Sequence, residues 1–200
     1  MVITGITKGN GKKYRVYGEE EYLFSLYAGE LKKYHISEGL DIDMMIISSI
    51  MDEIIYKRGK ERALYLLERR PMTERMMRDK LISDEYPDEM VEKIIAFLYR
   101  YRYLDDMEYI HMYVNTYGNR KSIKQMRLDL LRKGVSKEDV NLFFEQNTIS
   151  EEEGFLRQFE KYIRNKNMTD MKDRQKVFRY FYAKGYAPSL IESAIQNQNT

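Results

Sequence analysis

Leu130-Leu131-Arg132-Lys133-Gly134-Val135-Ser136, with Val140, Phe143 and Phe144 beyond it, decides the fold. It closes a charged amphipathic segment that begins at Ser122. A glycine directly after a helix permits the left-handed conformation that satisfies the last orphan carbonyls. Ser136 then caps a second helix, with Asp139 in its first turn. The same pattern occurs twice more. One copy runs from Asp173 to Lys184-Gly185-Tyr186-Ala187 and continues through Leu190, Ile191, Ala194 and Ile195. The other runs from Thr73 to Asp84-Glu85-Tyr86-Pro87 and continues through Met90, Val91, Ile94 and Ile95. Tyr86, Val135 and Tyr186 are matching positions, at intervals of about 50 residues, which signals stacked supersecondary units. In the first copy Glu85 stands where the others have glycine, which predicts a turn closed differently.

Working outward, each copy gains a preceding helix. Ala63, Leu66 and Leu67 share a face ahead of Pro71, which stops that helix. Leu104-Asp105-Asp106-Met107-Glu108 reads as a helix start, with Asp105 as N-cap and Glu108 three residues on. Gly118 marks its end, and residues 151–165, 170–184 and 188–196 form the last three helices. Before these, Ile42 to Tyr56 has helical spacing and Arg58-Gly59-Lys60 reads as a break. Residues 2–36 differ: Tyr14 and Val16, then Tyr22, Phe24 and Leu26, recur with period two, and Gly9-Asn10-Gly11 is a turn signal. Three short strands cannot form a core alone, so this module is expected to pack on the helices that follow. The expected fold is mainly α, with three tandem three-helix repeats in an elongated curved array and a small N-terminal β-rich module. The divisions are a β-rich module at 1–40, a connecting helix at 41–58, and repeats at 59–104, 105–149 and 150–200. The tail Gln196 to Thr200 is expected to fray.

Composition narrows the chemistry. The chain has 200 residues and no Cys, which removes disulfides, thiolate metal sites and Cys nucleophiles. No basic leader precedes an apolar core at the N-terminus, and no run approaches the ~20 apolar residues of a bilayer span. A cytoplasmic protein is expected. There is no phosphate-binding GxxxxGK[ST] loop, no GxSxG elbow and no HExxH, and His35 and His111 are the only histidines. Asp105, Asp106 and Glu108 suggest a magnesium cluster, but capping explains two of them without metal. The chain is not expected to be an enzyme or to hold a cofactor or metal.

Net charge is +2, and its distribution is the informative part. From His111 to Lys137 there are seven basic residues and one acid, Asp129. Arg120, Lys121, Lys124, Arg127, Arg132 and Lys133 are therefore the leading candidates for contact with phosphates or an acidic groove. Arg69, Arg70, Arg75 and Arg78, with Lys80, make a second cluster diluted by acids. Arg174 and Arg179, with Lys176, make a third. Each cluster also has a plain reading as a solvated helix face. Tyr99, Tyr101, Tyr103, Tyr109, Tyr113 and Tyr117 are expected mostly to pack with their hydroxyls reaching water, and one or two to stack on single-stranded bases.

Several of these segments resemble the RecX family, regulators of the RecA recombinase. They are Ala63-Leu64-Tyr65-Leu66-Leu67 before Arg69-Arg70-Pro71, Thr73-Glu74 with Leu81, Tyr103-Leu104-Asp105-Asp106 with Tyr109 and Tyr113-Val114, and Leu130 through Ser136. Order and spacing agree over roughly residues 60–145, and Lys184-Gly185-Tyr186 extends the likeness. The β-like start is similar to the extension on longer members. The resemblance implies a curved array that lies in the groove of the RecA–DNA filament and bridges its subunits. It also implies restraint of strand exchange, ATP turnover and coprotease activity in DNA repair and the SOS response. The implied partners are the RecA filament and single- or double-stranded DNA, bound weakly and with salt dependence; no membrane is implied, and a monomer is expected. The alternative is a stand-alone DNA-binding protein, since the second and third helices of each unit are similar to a helix-turn-helix.

Overall fold

A computed structural model describes residues 1–198. The chain divides into two compact units, the first spanning Met1–Asp105 and the second beginning at Asp106. Asn199 and Thr200 of the expected frayed tail lie outside the described residues; Gln196 and Asn197 are helical.

The first unit opens with strands β1 (Ile3–Lys8), β2 (Lys13–Gly18) and β3 (Glu21–Tyr27), an antiparallel meander in the order β1-β2-β3. Val16 faces Phe24 across the β2–β3 pair, and both are fully buried with Leu26, as the period-two pattern predicts. Glu19 and Glu20 join β2 to β3 with positive φ at both positions, the twist-matched geometry of a two-residue hairpin. A short helix α1 (Ala28–Lys33) follows where the sequence read as extended; at six residues it is too short to display a helical period.

Helix α2 (Met44–Ile50) is capped by Asp43, whose side chain accepts the Met45 amide, and passes through a π-helical stretch (Met51–Tyr56) into α3 (Lys57–Arg69). The expected break at Arg58-Gly59-Lys60 is absent. Gly59 lies inside α3, where a Cβ would come 2.2 Å from Ile94 Cδ1 of α5 (Asp88–Arg100). The glycine therefore serves a close helix crossing and does not stop the helix. Between them, α4 (Glu74–Ser83) begins at Thr73, whose hydroxyl accepts the Met76 amide. One hydrophobic core runs from Ile3 in the sheet through Ile50 and Ile55 in the rod to Ile94 and Leu98 in α5, so the β module shares the core of the first repeat.

The turn from α4 to α5 closes as the other two do. Tyr86 N–H reaches Leu81 O at 3.1 Å, Val135 N–H reaches Leu130 O at 3.2 Å, and Tyr186 N–H reaches Phe181 O at 3.2 Å. The residues before them are left-handed: Glu85 at φ 66°, Gly134 at 91° and Gly185 at 87°. The different closure expected at Glu85 does not occur. A side chain here costs about 1–2 kcal/mol relative to glycine, and the β module offsets that cost. The Glu85 carboxylate, 6% exposed, accepts the Asn10 amide at 3.0 Å, Arg15 Nε at 2.6 Å and Ser25 Oγ at 3.0 Å, while its carbonyl accepts Tyr22 OH at 2.6 Å. Arg15 and Ser25 are directly opposed on β2 and β3.

The second unit holds two three-helix repeats, each with its own core. Helices α6 (Asp106–Tyr117), α7 (Ile123–Arg132) and α8 (Lys137–Gln146) surround Ile110, Met126, Leu130 and Phe143. Helices α9 (Glu152–Ile163), α10 (Met171–Ala183) and α11 (Pro188–Asn197) surround Phe155, Phe159, Phe181 and Ile191. Serine hydroxyls cap α7 and α8 by accepting the Gln125 and Asp139 amides. Among the described residues no helix is long and apolar enough to cross a membrane.

Two outcomes follow. Burial opposes ionisation of Glu85, but the Asn10, Arg15 and Ser25 hydrogen bonds outweigh it and hold its pKa below the usual value. Its contribution is therefore present above an unfolded pKa of ~4.3 and lost as pH falls. Glu85→Gln should cost about 1–3 kcal/mol in urea unfolding at neutral pH and flatten the stability loss below pH ~4.5. Gly59→Ala should destabilise despite the ~1 kcal/mol gain in helix propensity, because overpacking against Ile94 costs about 1–3 kcal/mol; a raised urea midpoint would contradict this crossing.

Candidate functional site

In the second unit a hydrogen-bonded joint brings the middle repeat against the third. Ser122, fully buried, caps α7 and also donates its hydroxyl to Lys184 O at 2.6 Å. The Ile123 amide donates to Glu151 Oε2 at 2.7 Å. Gly185 makes the approach possible: a Cβ there would lie 2.9 Å from Ser122 Oγ and 3.1 Å from Lys124 Cβ. This glycine thus meets two demands, a left-handed turn and a contact too close for a side chain.

The joint leaves an open groove of about 430 Å³ between α7 and the α10–α11 turn. Lys124, Leu128 and Arg132 line one wall at successive four-residue steps of α7, and Arg120 stands at the loop before it. Tyr182 and Lys184 form the opposite wall. Arg120 and Lys124 are exposed, with no ion-pair partner among the described residues. The Arg132 side chain is 79% exposed and only 3.7 Å from Asp129. The exposed cations stand on the α7 wall, whereas Lys184 on the opposite wall is half-buried, donates to Gln158 Oε1 at 3.2 Å and lies over the Tyr180 ring.

The other residues of the cluster are half-buried and engaged internally, although Lys121 also borders the groove. Lys121 donates to Asp129 Oδ2 and to Tyr113 OH, both at 2.8 Å, and lies 4.6 Å from the Tyr117 ring centroid. Burial opposes both charges of this pair, but their hydrogen bond lowers the Asp129 pKa and raises that of Lys121. Arg127 donates to Asn141 Oδ1 at 2.8 Å and stacks over Phe144. Lys133 lies 5.8 Å from the Tyr113 ring centroid. Lys184, not anticipated as a site residue, is supplied by the third repeat; the only sequence sign of it is its place beside the turn glycine.

In the first unit Arg78 is held between Glu74 and Glu92, and Arg75 faces Asp79 at 4.0 Å. Arg69 stacks over Tyr65, and Arg70 is exposed at the end of α3. In the second unit Arg174 donates to Met168 O at 2.6 Å, and Arg179 is exposed on α10; neither lines the groove. Tyr109 and Tyr113 are buried and Tyr117 packs against Tyr113, whereas Tyr99, Tyr101 and Tyr103 are more exposed, with the Tyr101 and Tyr103 rings lying against Phe97.

Gly185→Ala should loosen the joint by about 1–3 kcal/mol. Amide exchange at Ile123 should quicken; an unchanged rate would mean the repeats do not depend on this contact.

Comparison with known proteins places the chain in a family. Residues 60–98 match the model described as RecX, first three-helix domain, and residues 150–195 match RecX, third three-helix domain. The regulatory protein RecX of Clostridium perfringens (strain 13 / Type A) is 31% identical over 196 residues, covering 96% of this chain and 92% of the relative. That of Clostridium botulinum (strain Alaska E43 / Type E3) is 28% identical over 200 residues, with coverage of 96% and 92%. A crystal structure of regulatory protein RecX superposes with a TM-score of 0.61 at 25% identity, covering 96% of this chain and 97% of that one. RecX from Lactobacillus salivarius, at 24% identity and a TM-score of 0.64, shares the fold over 72% of this chain and 97% of its own. With three-helix repeats built as that family's are, and a relative of this identity aligned over nearly its whole length, the chain belongs to the RecX family of regulatory proteins.

Proposed function

We propose that this protein binds the RecA–DNA filament and restrains its recombinase, ATPase and coprotease activities, in DNA repair and the SOS response. The observation that carries the reading is the cationic groove of the second unit, where Arg120, Lys124 and Arg132 of one repeat face Lys184 of the next. A filament presents phosphates and acidic protein surface together, and cations on two walls suit such a partner better than a single charged helix does. DNA alone is bound weakly and with salt dependence, and the protein acts in the cytoplasm as a monomer without catalysing a reaction.

The helix-turn-helix alternative is less well supported. A recognition helix meets base edges through its N-terminal residues. Here α5 begins with Asp88 and Glu89, α8 carries Glu138 and Asp139 beside Lys137 in its first turn, and α11 begins with Pro188 and Ser189, so cations to meet DNA are scarce there.

The test is ATP turnover by RecA on single-stranded DNA. Stoichiometric protein should slow it, and the triple variant Arg120→Glu, Lys124→Glu, Arg132→Glu should lose the effect. Filament binding by the wild type should fall steeply with salt, and the variant's log–log slope should be shallower by about 2–3. Unchanged turnover with wild-type protein, together with sequence-selective binding to bare duplex, would favour the alternative.

A further inference from the structure

A second cationic groove, of about 580 Å³, lies wholly within the first unit, between the β1–β2 loop, α3 and the α4–α5 turn. Lys12, Lys13, Arg58 and Arg62 line it against two carboxylates, Glu61 and Asp84. Asp84 is already held by Arg62 Nε at 2.8 Å and Lys80 Nζ at 2.7 Å, and Arg58 is paired with Glu30. That leaves Lys12 and Lys13 against the single carboxylate of Glu61, an excess of one positive charge. Lys12 is exposed with no partner among the described residues. Lys13 is half-buried; its ammonium donates to a neutral acceptor, Asp84 O at 2.6 Å, and sits 5.4 Å from the Tyr86 ring centroid. No carboxylate lies within ion-pair distance of it among the described residues. Its charge is thus held by a neutral carbonyl and a ring and by no directly bonded carboxylate, which favours an added anion.

The aromatic surroundings narrow the kind of anion. Tyr27, directly across the sheet from Lys13, is 40% exposed, and Tyr65 is 44% exposed on α3. Guanidiniums lie over both rings, Arg58 over Tyr27 at 4.8 Å, and Arg69 and Arg62 over Tyr65 at 4.6 and 5.7 Å. The groove thus pairs charge for a phosphate with rings for a base or sugar.

We propose that this groove binds a nucleotide phosphate, with Lys12 and Lys13 holding the phosphate and Tyr27 and Tyr65 flanking the base or sugar. The nucleotide is free or is one link of a single strand; the shared chemistry is a phosphate beside a planar ring. The proposal is independent of the filament reading, which rests on the second unit.

The test uses the full chain with isotope-labelled lysine, followed by NMR. Burial holds the Lys13 pKa down, assisted by Arg58 and Arg62 and opposed by Glu85 and Asp84. Adenosine monophosphate or short oligothymidylate should shift the Lys13 signal and raise its titration midpoint toward the ordinary lysine value. A response to the mononucleotide assigns a free nucleotide, and a response to the oligomer alone assigns a strand. Lys13→Gln should weaken binding about tenfold, the loss of one charge-assisted contact. Should that variant melt early, Lys12→Gln on the exposed loop should still weaken binding several-fold. Lys124→Gln, in the other unit, should leave it unchanged. Inorganic phosphate bound as tightly as the nucleotide would overturn the role of the rings, and affinity unchanged in both lysine variants would overturn the site. If the site fails while RecA turnover is still restrained, the filament reading survives; if turnover is unaffected while Lys13 responds, only the filament reading falls.

Discussion

The structure of the first unit depends on one buried carboxylate in a conformation that favours glycine. All three repeats need a left-handed residue between their second and third helices, because that turn lets the carbonyl two residues before the helix end accept the amide three residues beyond it. It also sends Tyr86, Val135 and Tyr186 into their cores. Two repeats meet the requirement with glycine. The first meets it with Glu85, whose bonds to Asn10, Arg15, Ser25 and Tyr22 come from the β module. The strained residue and the extra module are thus physically linked. Removing the module would take away the bonds that offset the strained position, and replacing the charge would remove the polar tie that seats the module.

What the sequence revealed and what it concealed follow the same division between local and distant causes. Helix ends were legible wherever the cause was local: Thr73, Ser122 and Ser136 as caps, Gly134 and Gly185 as stops. Gly59 was misread because its cause lies in Ile94, on another helix, and a glycine between two basic residues otherwise resembles a stop. Glu85 was misread because its partners are about 60 to 75 residues away in sequence. The positive cluster was legible as composition, but its exposed members were not. Lys121 is withdrawn by Asp129 and Tyr113 and Arg127 by Asn141 and Phe144, whereas Arg120 and Lys124 remain exposed.

Charge in this protein is therefore divided by role. Arg78, Lys121 and Arg15 are spent on internal carboxylates and stiffen the turns and helix pairs they join. Other cations, Arg120, Lys124 and Arg132 in the second unit and Lys12 in the first, are exposed in grooves built where one element closes on another: two repeats in the second unit, the sheet and a repeat in the first. In both, a turn between second and third helices forms part of the wall. The repeat thereby supplies both the scaffold and the recurring place at which partners can be met.

The uninterrupted passage of α2 through the π-helical stretch into α3 bears on modularity. The recognisable first repeat begins at residue 60, inside that rod and one residue after Gly59. The boundary that homology draws is thus not the boundary along which the chain folds. A fragment cut there would lose Ile50 and Ile55 from its core and uncover the α5 face that Gly59 approaches. What looks like an appendage to a repeat protein is, in this chain, half of its first folding unit.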